Sequence, residues 1–342
     1  LGILENRQSF GLRQSIQVLN DRLRESAKAD QRLFLFDYDS FCARVGKQHI
    51  VDPRMYYLAD VRIDWRHVPA LCDEYLAYIG PLLGLSRKCI VVDLDDTLWG
   101  GVIGEDGLEG IKLGPDPEGR PFVDFQRVLL SLHDRGVILA INSKNNPADA
   151  LRVLREHPAM VLREDHFAAI RTNWNDKVDN LRELAVELKL GLDAFVFIDD
   201  DPVTRLLVRE ALPEVLVVEM PEDPALYPQT AMGLNVFDTL QLTEEDRQKA
   251  RYYTDQRKRR AAARAAMSVT DHLKSLEMVV TLERANTFNM PRIAQLTQKT
   301  NQFTMTTRRY VEDEIAHFAS SRSFQVICAS LKDKFGDNGV TG

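Results

Sequence analysis

The run Val91-Val92-Asp93-Leu94-Asp95-Asp96-Thr97-Leu98 sets two carboxylates one residue apart at the end of an apolar stretch. In open parallel sheets, ligands bind outside the carboxyl ends of the strands. One member of such a pair can act as nucleophile or metal ligand while the other gives or takes a proton. Crowded carboxylates repel and need a cation. A second apolar run, Phe195-Val196-Phe197-Ile198, ends in Asp199-Asp200-Asp201, the same pattern of strand followed by carboxylates. Oxygen ligands suit a hard ion such as Mg²⁺, so the carboxylates of the two strand tips are expected to converge on one metal.

Two further segments supply complementary groups. Ile138-Leu139-Ala140-Ile141-Asn142-Ser143 carries amide and hydroxyl groups to a third strand tip, followed by Lys144-Asn145-Asn146. Lys177 opens an amphipathic window, where an ammonium can offset the carboxylates and bind a phosphoryl oxygen. Taken singly, Ser143 also reads as a loop residue that starts a helix, and Lys177 as an exposed helix lysine.

These residues need elements to hold them. From Cys89 onward, short apolar runs at Cys89–Leu94, Val137–Ile141, Phe195–Ile198 and Val215–Val218 alternate with helical windows at Phe122–Arg135, Pro147–His157, Asp176–Leu188 and Pro202–Ala211. That alternation predicts βαβ units and a parallel sheet. A Gly-rich excursion, Trp99 to Gly119, is too long for an ordinary βα connection and is expected to be functional, with Trp99 and Arg120 bracketing it as capping elements. Trp99 reads equally as loop packing. Before this region, a helix around Leu12–Leu23, the run Leu33–Phe36 and a helix at Val68–Leu83 predict an accessory α/β segment. After it, a polar helical connection over Glu244–Met267 leads to a strand at Met278–Leu282 and helices at Met290–Lys299 and Thr307–Phe318.

The order Asp93-x-Asp95-x-Thr97, Ser143, Lys177, Asp199-Asp200 resembles the four motifs of the haloacid dehalogenase superfamily of phosphotransferases. The longer string Asp93-Leu94-Asp95-Asp96-Thr97-Leu98-Trp99-Gly100-Gly101-Val102-Ile103-Gly104-Glu105-Asp106-Gly107 resembles the FkbH-like family, glyceryltransferase/phosphatases of polyketide biosynthesis. Ser143-Lys144-Asn145-Asn146 and Leu296-Thr297-Gln298-Lys299-Thr300-Asn301-Gln302-Phe303 support it, and the resemblance spans essentially the whole chain. It implies an α/β fold with a Rossmann-like parallel-sheet core at 87–225. Around that core it implies an accessory segment at 1–86, a helical connection at 226–270 and a partial acetyltransferase-like α/β segment at 271–342. It implies Asp93 as phosphoryl-accepting nucleophile, Asp95 as general acid/base, and Ser143 and Lys177 as phosphoryl-binding groups. Mg²⁺ would be held by Asp93, the backbone carbonyl of Asp95 and Asp199, with Asp200 either a further ligand or a support behind the ligands. Thr97, Trp99, Asn142, Lys144 and Asn145 are expected around the substrate. Asp96 departs from the pattern, which commonly has Asn there. The implied reaction dephosphorylates 1,3-bisphosphoglycerate and loads the glyceryl unit onto the phosphopantetheine thiol of an acyl carrier protein.

Composition constrains the partners. The 342 residues carry a net charge of −7 with 44% hydrophobic residues, which fits a globular chain and disfavours nucleic acid. Local basic density at Arg257-Lys258-Arg259-Arg260 reads as a solvated helix face, or as a docking face extending to Arg264 for an acidic carrier protein. Cys42, Cys72, Cys89 and Cys328 form no metal or disulfide pattern, no apolar run reaches membrane-spanning length, and the residues from Leu1 to Asn6 show no basic segment followed by an apolar core, so a reducing cytoplasmic setting is expected. The absence of an initiator methionine and the abrupt end at Gly342 read as a domain excised from a longer protein. Cys89 is four residues before Asp93, about 13 Å along a strand, and is expected to be a buried core thiol. His133, His157 and His166 have no metal-ligand spacing. A plain small-metabolite phosphatase and a non-catalytic carrier-docking module are the rival readings.

Overall fold

The computed structural model describes residues 7, 11–30, 32–240, 244–265, 273, 276–299, 308–321 and 323–340. The chain divides into two units, Leu1–Ser86 with Asp238–Leu240, and Arg87–Phe237 with Gln241–Gly342.

The first unit is helical: α1 (Leu12–Ala29), α2 (Tyr38–Val45), α3 (Pro53–Ala59) and α4 (Val68–Leu82). Its described residues contain no strand, and the apolar run Leu33–Phe36 lies in coil, against the α/β expectation for this segment. Four apolar residues with no neighbouring strand cannot satisfy a sheet's backbone hydrogen bonds. Instead Phe36 packs beside a small core of Phe41, Cys42 and Ile50. Asp64 accepts a bond from Arg66 N at 3.0 Å and pairs with the Arg66 guanidinium at 2.5 Å.

The second unit is built on five parallel strands, β1 (Cys89–Val92), β2 (Ile138–Ser143), β3 (Phe167–Thr172), β4 (Phe195–Ile198) and β5 (Leu216–Val217), in the order β3-β2-β1-β4-β5. This is the expected α/β, Rossmann-like core. Ile90, Val92, Leu139, Ile141, Val196 and Ile198 face one layer with α6 (Arg120–Asp134) and α7 (Pro147–Glu156). The alternate residues Cys89, Val91, Ile138, Ala140, Phe195 and Phe197 face the other, with α8 (Lys177–Leu188) and α9 (Pro202–Ala211). Burial on both faces explains why these strands read as continuous apolar runs. The strand order reverses at β1, which opens a crevice at its carboxyl end.

Strand β3 is missing from the sequence reading. Its sequence Phe-Ala-Ala-Ile-Arg-Thr is short on large β-branched residues, and its outer half is only partly buried. The long excursion is not an irregular loop: Gly100 pairs with Lys112 through bonds of 3.0 and 2.8 Å, and between them lies α5 (Ile103–Gly110). Gly101 sits at φ +88°, with the Asp106 carboxylate in the space a side chain would need.

Beyond α10 (Tyr227–Met232), the long α11 (Glu244–Ala265) packs against β3. A three-stranded antiparallel sheet follows, β6 (Val279–Arg284), β7 (Ile327–Asp333) and β8 (Gly336–Val340), in the order β6-β7-β8. With α12 (Met290–Lys299) and α13 (Glu312–Ser320) it shares a small core of Ile293, Ala294, Ile315 and Cys328. Thr300, Asn301, Gln302 and Phe303 lie outside the described residues.

The basic run on α11 is not a plain solvated face, since each of its four cations meets an acid of another segment. Arg257 meets Glu164 at 3.3 Å, Lys258 meets Asp165 at 3.1 Å, Arg259 grips Asp333 at 2.6 Å, and Arg260 meets Glu187 at 3.3 Å. The run ties the turn Glu164–His166, α8 and the hairpin after β7 to one helix. The side chain of Arg264 lies outside the described residues.

Candidate active site

Parallel pairing decides which residues come level. Val92 lies opposite Ile141 on β2 and Ile198 on β4, so Asp93, Asn142 and Asp199 leave their strands side by side. The backbone N–H of Asp93 donates to Ile198 O at 3.0 Å, extending the ladder one residue into the site.

Lys177, the first residue of α8, is 6% exposed and reaches Asp93 Oδ2 at 2.7 Å and Asp199 Oδ2 at 2.6 Å. The reading of Lys177 as an exposed helix lysine is therefore excluded. Burial disfavours its charge, but Asp93 and Asp199 outweigh that and hold its pKa above the ordinary lysine value. Asp93 Oδ1 is buried without a hydrogen-bond partner. Oxygens of Asp93, Asp199 and Asp200 lie within 4.8 Å of one another, the one such three-residue group among the described residues. Burial, reinforced by Asp93, pushes Asp199 and Asp200 up to about 6. A buried, partnerless carboxylate oxygen beside two more crowded carboxylates fits an oxygen-liganded divalent cation.

Asp201, the third member of the acidic run, does different work. It caps α9 by accepting from Val203 N and Thr204 N, each at 3.1 Å, and from Thr204 Oγ1 at 2.6 Å. Pro202 occupies the first helical position, so the preceding Asp is the natural cap.

Asp95 adds no side-chain oxygen to the carboxylate group. Its Oδ1 accepts from Trp99 Nε1 at 2.9 Å and Ile103 N at 3.1 Å, and its Oδ2 accepts from Asn145 Nδ2 at 3.0 Å. Burial raises its pKa against the lowering effect of these donors. Asn145 Nδ2 also donates to Ser143 Oγ at 3.2 Å, which sets Ser143 beside Asp95 at the tip of β2.

Several residues expected at the substrate are spent elsewhere. Thr97 is fully buried, its hydroxyl donating to Asp200 Oδ1 at 3.0 Å and accepting from Asp200 N at 3.2 Å. Trp99 is fully buried, as its reading as loop packing has it and not as a cap over the site, and Arg120 points outward to Asp124 at 3.7 Å. Asn142 is fully buried, donating to Lys177 O at 2.9 Å and accepting from Asn180 Nδ2 at 3.0 Å, so it positions α8. Of the substrate set, Lys144 alone is exposed. A cavity of about 490 Å³ lined by Gly114, Arg120, Arg127 and Met160 contains none of the predicted site residues.

The sequence reading missed two supports. Arg205 Nη1 donates to the carbonyls of Asp199 at 2.9 Å and Asp200 at 2.6 Å, while Nη2 pairs with Glu219 at 3.0 Å, pinning the acidic loop. Asn173, just past β3, donates its N–H to Ser143 O at 3.1 Å and its side-chain amide to Asn180 Oδ1 at 3.1 Å. Arg205 sits one turn after the cap Asp201. That spacing could have flagged it, whereas Asn173 was invisible without β3.

No family profile matches the chain, and no curated protein matches it. Among solved structures, the chain is similar to the N-terminal part of the protein BF1531 from Bacteroides fragilis, which contains a phosphatase domain and is complexed with Mg. The two are 35% identical with a TM-score of 0.63, over 66% of this chain and 60% of that one. This chain thus spans less than two thirds of the matched structure's length, and the two share an α/β phosphatase-type fold.

Proposed function

We propose that this chain is a Mg²⁺-dependent phosphatase that passes a phosphoryl group through Asp93. The observation that carries it is the buried Lys177 bridging Asp93 and Asp199 beside a partnerless Asp93 oxygen. A carboxylate oxygen of Asp93 attacks phosphorus and the bond to the leaving oxygen breaks. Asp95 supplies that oxygen with a proton, then takes one from the water that releases phosphate from Asp93. Lys177 and Ser143 offset and hold the phosphoryl oxygens. Asp93, Asp199 and Asp200 would hold Mg²⁺, which neutralises charge on the phosphoryl group when bound. The similarity to the Mg-complexed phosphatase domain of the BF1531 structure supports a Mg²⁺-dependent phosphatase.

The string from Asp93 to Gly107 supports a finer reading, in which the substrate is 1,3-bisphosphoglycerate and the product is glyceryl thioester on an acyl carrier protein. A thiolate attacks the acyl carbon and expels the C1 phosphate, while Asp93 accepts the C3 phosphoryl group and water returns it as phosphate. Cys42, Cys89 and Cys328 are buried and Cys72 is exposed. Burial raises the Cys89 thiol far above its ordinary pKa, which suits a core residue and not an acyl-bearing thiolate.

The test is incubation with Mg²⁺, 1,3-bisphosphoglycerate and holo carrier protein, followed by phosphate release and intact mass. Phosphate release with a glyceryl adduct on the carrier supports the full reading. Release with no adduct on carrier or enzyme leaves a plain phosphatase and removes the transferase. No release, with pathway output unchanged in Asp93→Asn, removes catalysis altogether and leaves a docking module.

A further inference from the structure

Asp95 is held by three donors from three places in the chain. Trp99 Nε1 and Ile103 N both point at Oδ1, at 2.9 and 3.1 Å, and Asn145 Nδ2 points at Oδ2, at 3.0 Å. A carboxyl oxygen accepts about two hydrogen bonds in its plane, so Oδ1 is saturated and Oδ2 keeps one position open. A proton bound for a leaving group can therefore sit on Oδ2 alone without breaking a bond already made.

Resting on the phosphatase reading, we propose that Trp99 and Asn145 are positioning residues that fix the Asp95 carboxyl so that Oδ2, and not Oδ1, faces the leaving group. The indole is fully buried and spends its single N–H on Oδ1. It cannot rotate away without leaving a buried donor unpaired. Ile103 N, at the start of α5, locks the same oxygen from the segment closed by the Gly100–Lys112 pair. Asn145 ties Oδ2 to Ser143 Oγ through one amide nitrogen at 3.0 and 3.2 Å, so acid and phosphoryl-binding hydroxyl keep a constant separation. In the transfer, an Asp93 oxygen bonds to phosphorus, the bond from phosphorus to the leaving oxygen breaks, and that oxygen takes the Oδ2 proton, leaving Asp95 as carboxylate. This role accounts for the burial of Trp99 and Asn145, which contact with substrate does not.

The reading is tested with two probe substrates that differ in their need for a proton: an alkyl phosphate with a poor leaving group, and p-nitrophenyl phosphate with a good one. The ratio of their kcat/KM values reports the first transfer alone, because water attack on the phosphorylated enzyme is common to both. Trp99→Phe and Asn145→Ser are each expected to lower kcat/KM for the alkyl phosphate at least about tenfold more than for p-nitrophenyl phosphate, in the direction of Asp95→Asn. Equal losses on both substrates in both variants, or no loss in either, overturn the positioning role. Trp99→Phe removes a buried donor and can impair folding. Asn145→Ser, from a different element, therefore carries the test where the thermal midpoint of the Trp variant falls. Failure of the wild-type protein to hydrolyse either probe with Mg²⁺ present would instead count against the phosphatase reading itself.

Discussion

Two clusters of paired charge in the second unit use similar residues to opposite ends. At the strand tips, one lysine, Lys177, faces Asp93 and Asp199 directly, with Asp95 and Asp200 close by. Arg205, the next cation, is already matched by Glu219. On α11, the four cations Arg257, Lys258, Arg259 and Arg260 meet Glu164, Asp165, Asp333 and Glu187. Arg155 and Arg171 share two of those acids. The first cluster is short of positive charge and leaves a buried carboxylate oxygen without a partner; in the second every acid meets at least one cation. An excess of buried negative charge is unfavourable to folding and persists where a cation completes it, while acids that each meet a cation serve as fastening.

The sharpest way to break this contrast is to neutralise one charge in each cluster. Asp93→Asn is expected to reduce phosphate release by about a thousandfold or more while leaving the thermal midpoint unchanged or raised, since it relieves repulsion. A phosphate assay and a melting curve on the same sample check both halves. Metal removal should act on the same cluster: chelation with EDTA is expected to abolish turnover. Restoring Mg²⁺ at a hundredfold excess over its dissociation constant should stabilise the wild-type protein by about 2.7 kcal/mol. Asp199→Asn should lose most of that stabilisation, measured by metal-dependent melting.

The α11 cluster should respond the other way. Arg259→Met breaks a two-pronged pair with Asp333, at 2.6 and 3.0 Å, and is expected to lower stability by about 2 kcal/mol with kcat unchanged. Chemical denaturation and steady-state kinetics separate the two effects.

Acidity gives the finest discrimination. Arg259, with the amides of Phe335 and Gly336, holds the Asp333 carboxyl below its ordinary range. Its contribution is present above the unfolded carboxylate's pKa of about 4 and is lost as pH falls through the depressed folded value. Asp199 and Asp200 in metal-free protein stand at about 6, above that unfolded value. The folded state then binds more protons, so stability should rise as pH falls from about 7 toward about 4. Melting curves in EDTA should show the rise in wild-type protein and its reduction in Asp199→Asn. The drop at lower pH should shrink in Arg259→Met.

Much of the site was legible because it sits at strand ends. Asp93, Ser143 and Asp199 each follow an apolar run whose burial on both faces makes it easy to recognise, and Lys177 opens a helix with clear periodicity. Asp201 shared that local signature, yet Pro202 turned it into a helix cap. Strand β3 was hidden by its alanines, and Asn173 with it. Thr97, Trp99 and Asn142 lie near the chemistry in sequence, but which way their polar atoms turned depended on partners at Asp200, Asp95 and Lys177.

Local sequence determined the alternating parallel core, the carboxylates at its strand tips and the need for a compensating cation, because periodicity and residue type act over short stretches. Tertiary structure alone decided that Lys177 is buried between Asp93 and Asp199, that the α11 cations pair with acids of distant segments, and that Asp95 is gripped by an indole. Each of these depends on which charge meets which across distant segments, and pairing of that kind is set by strand register and helix packing.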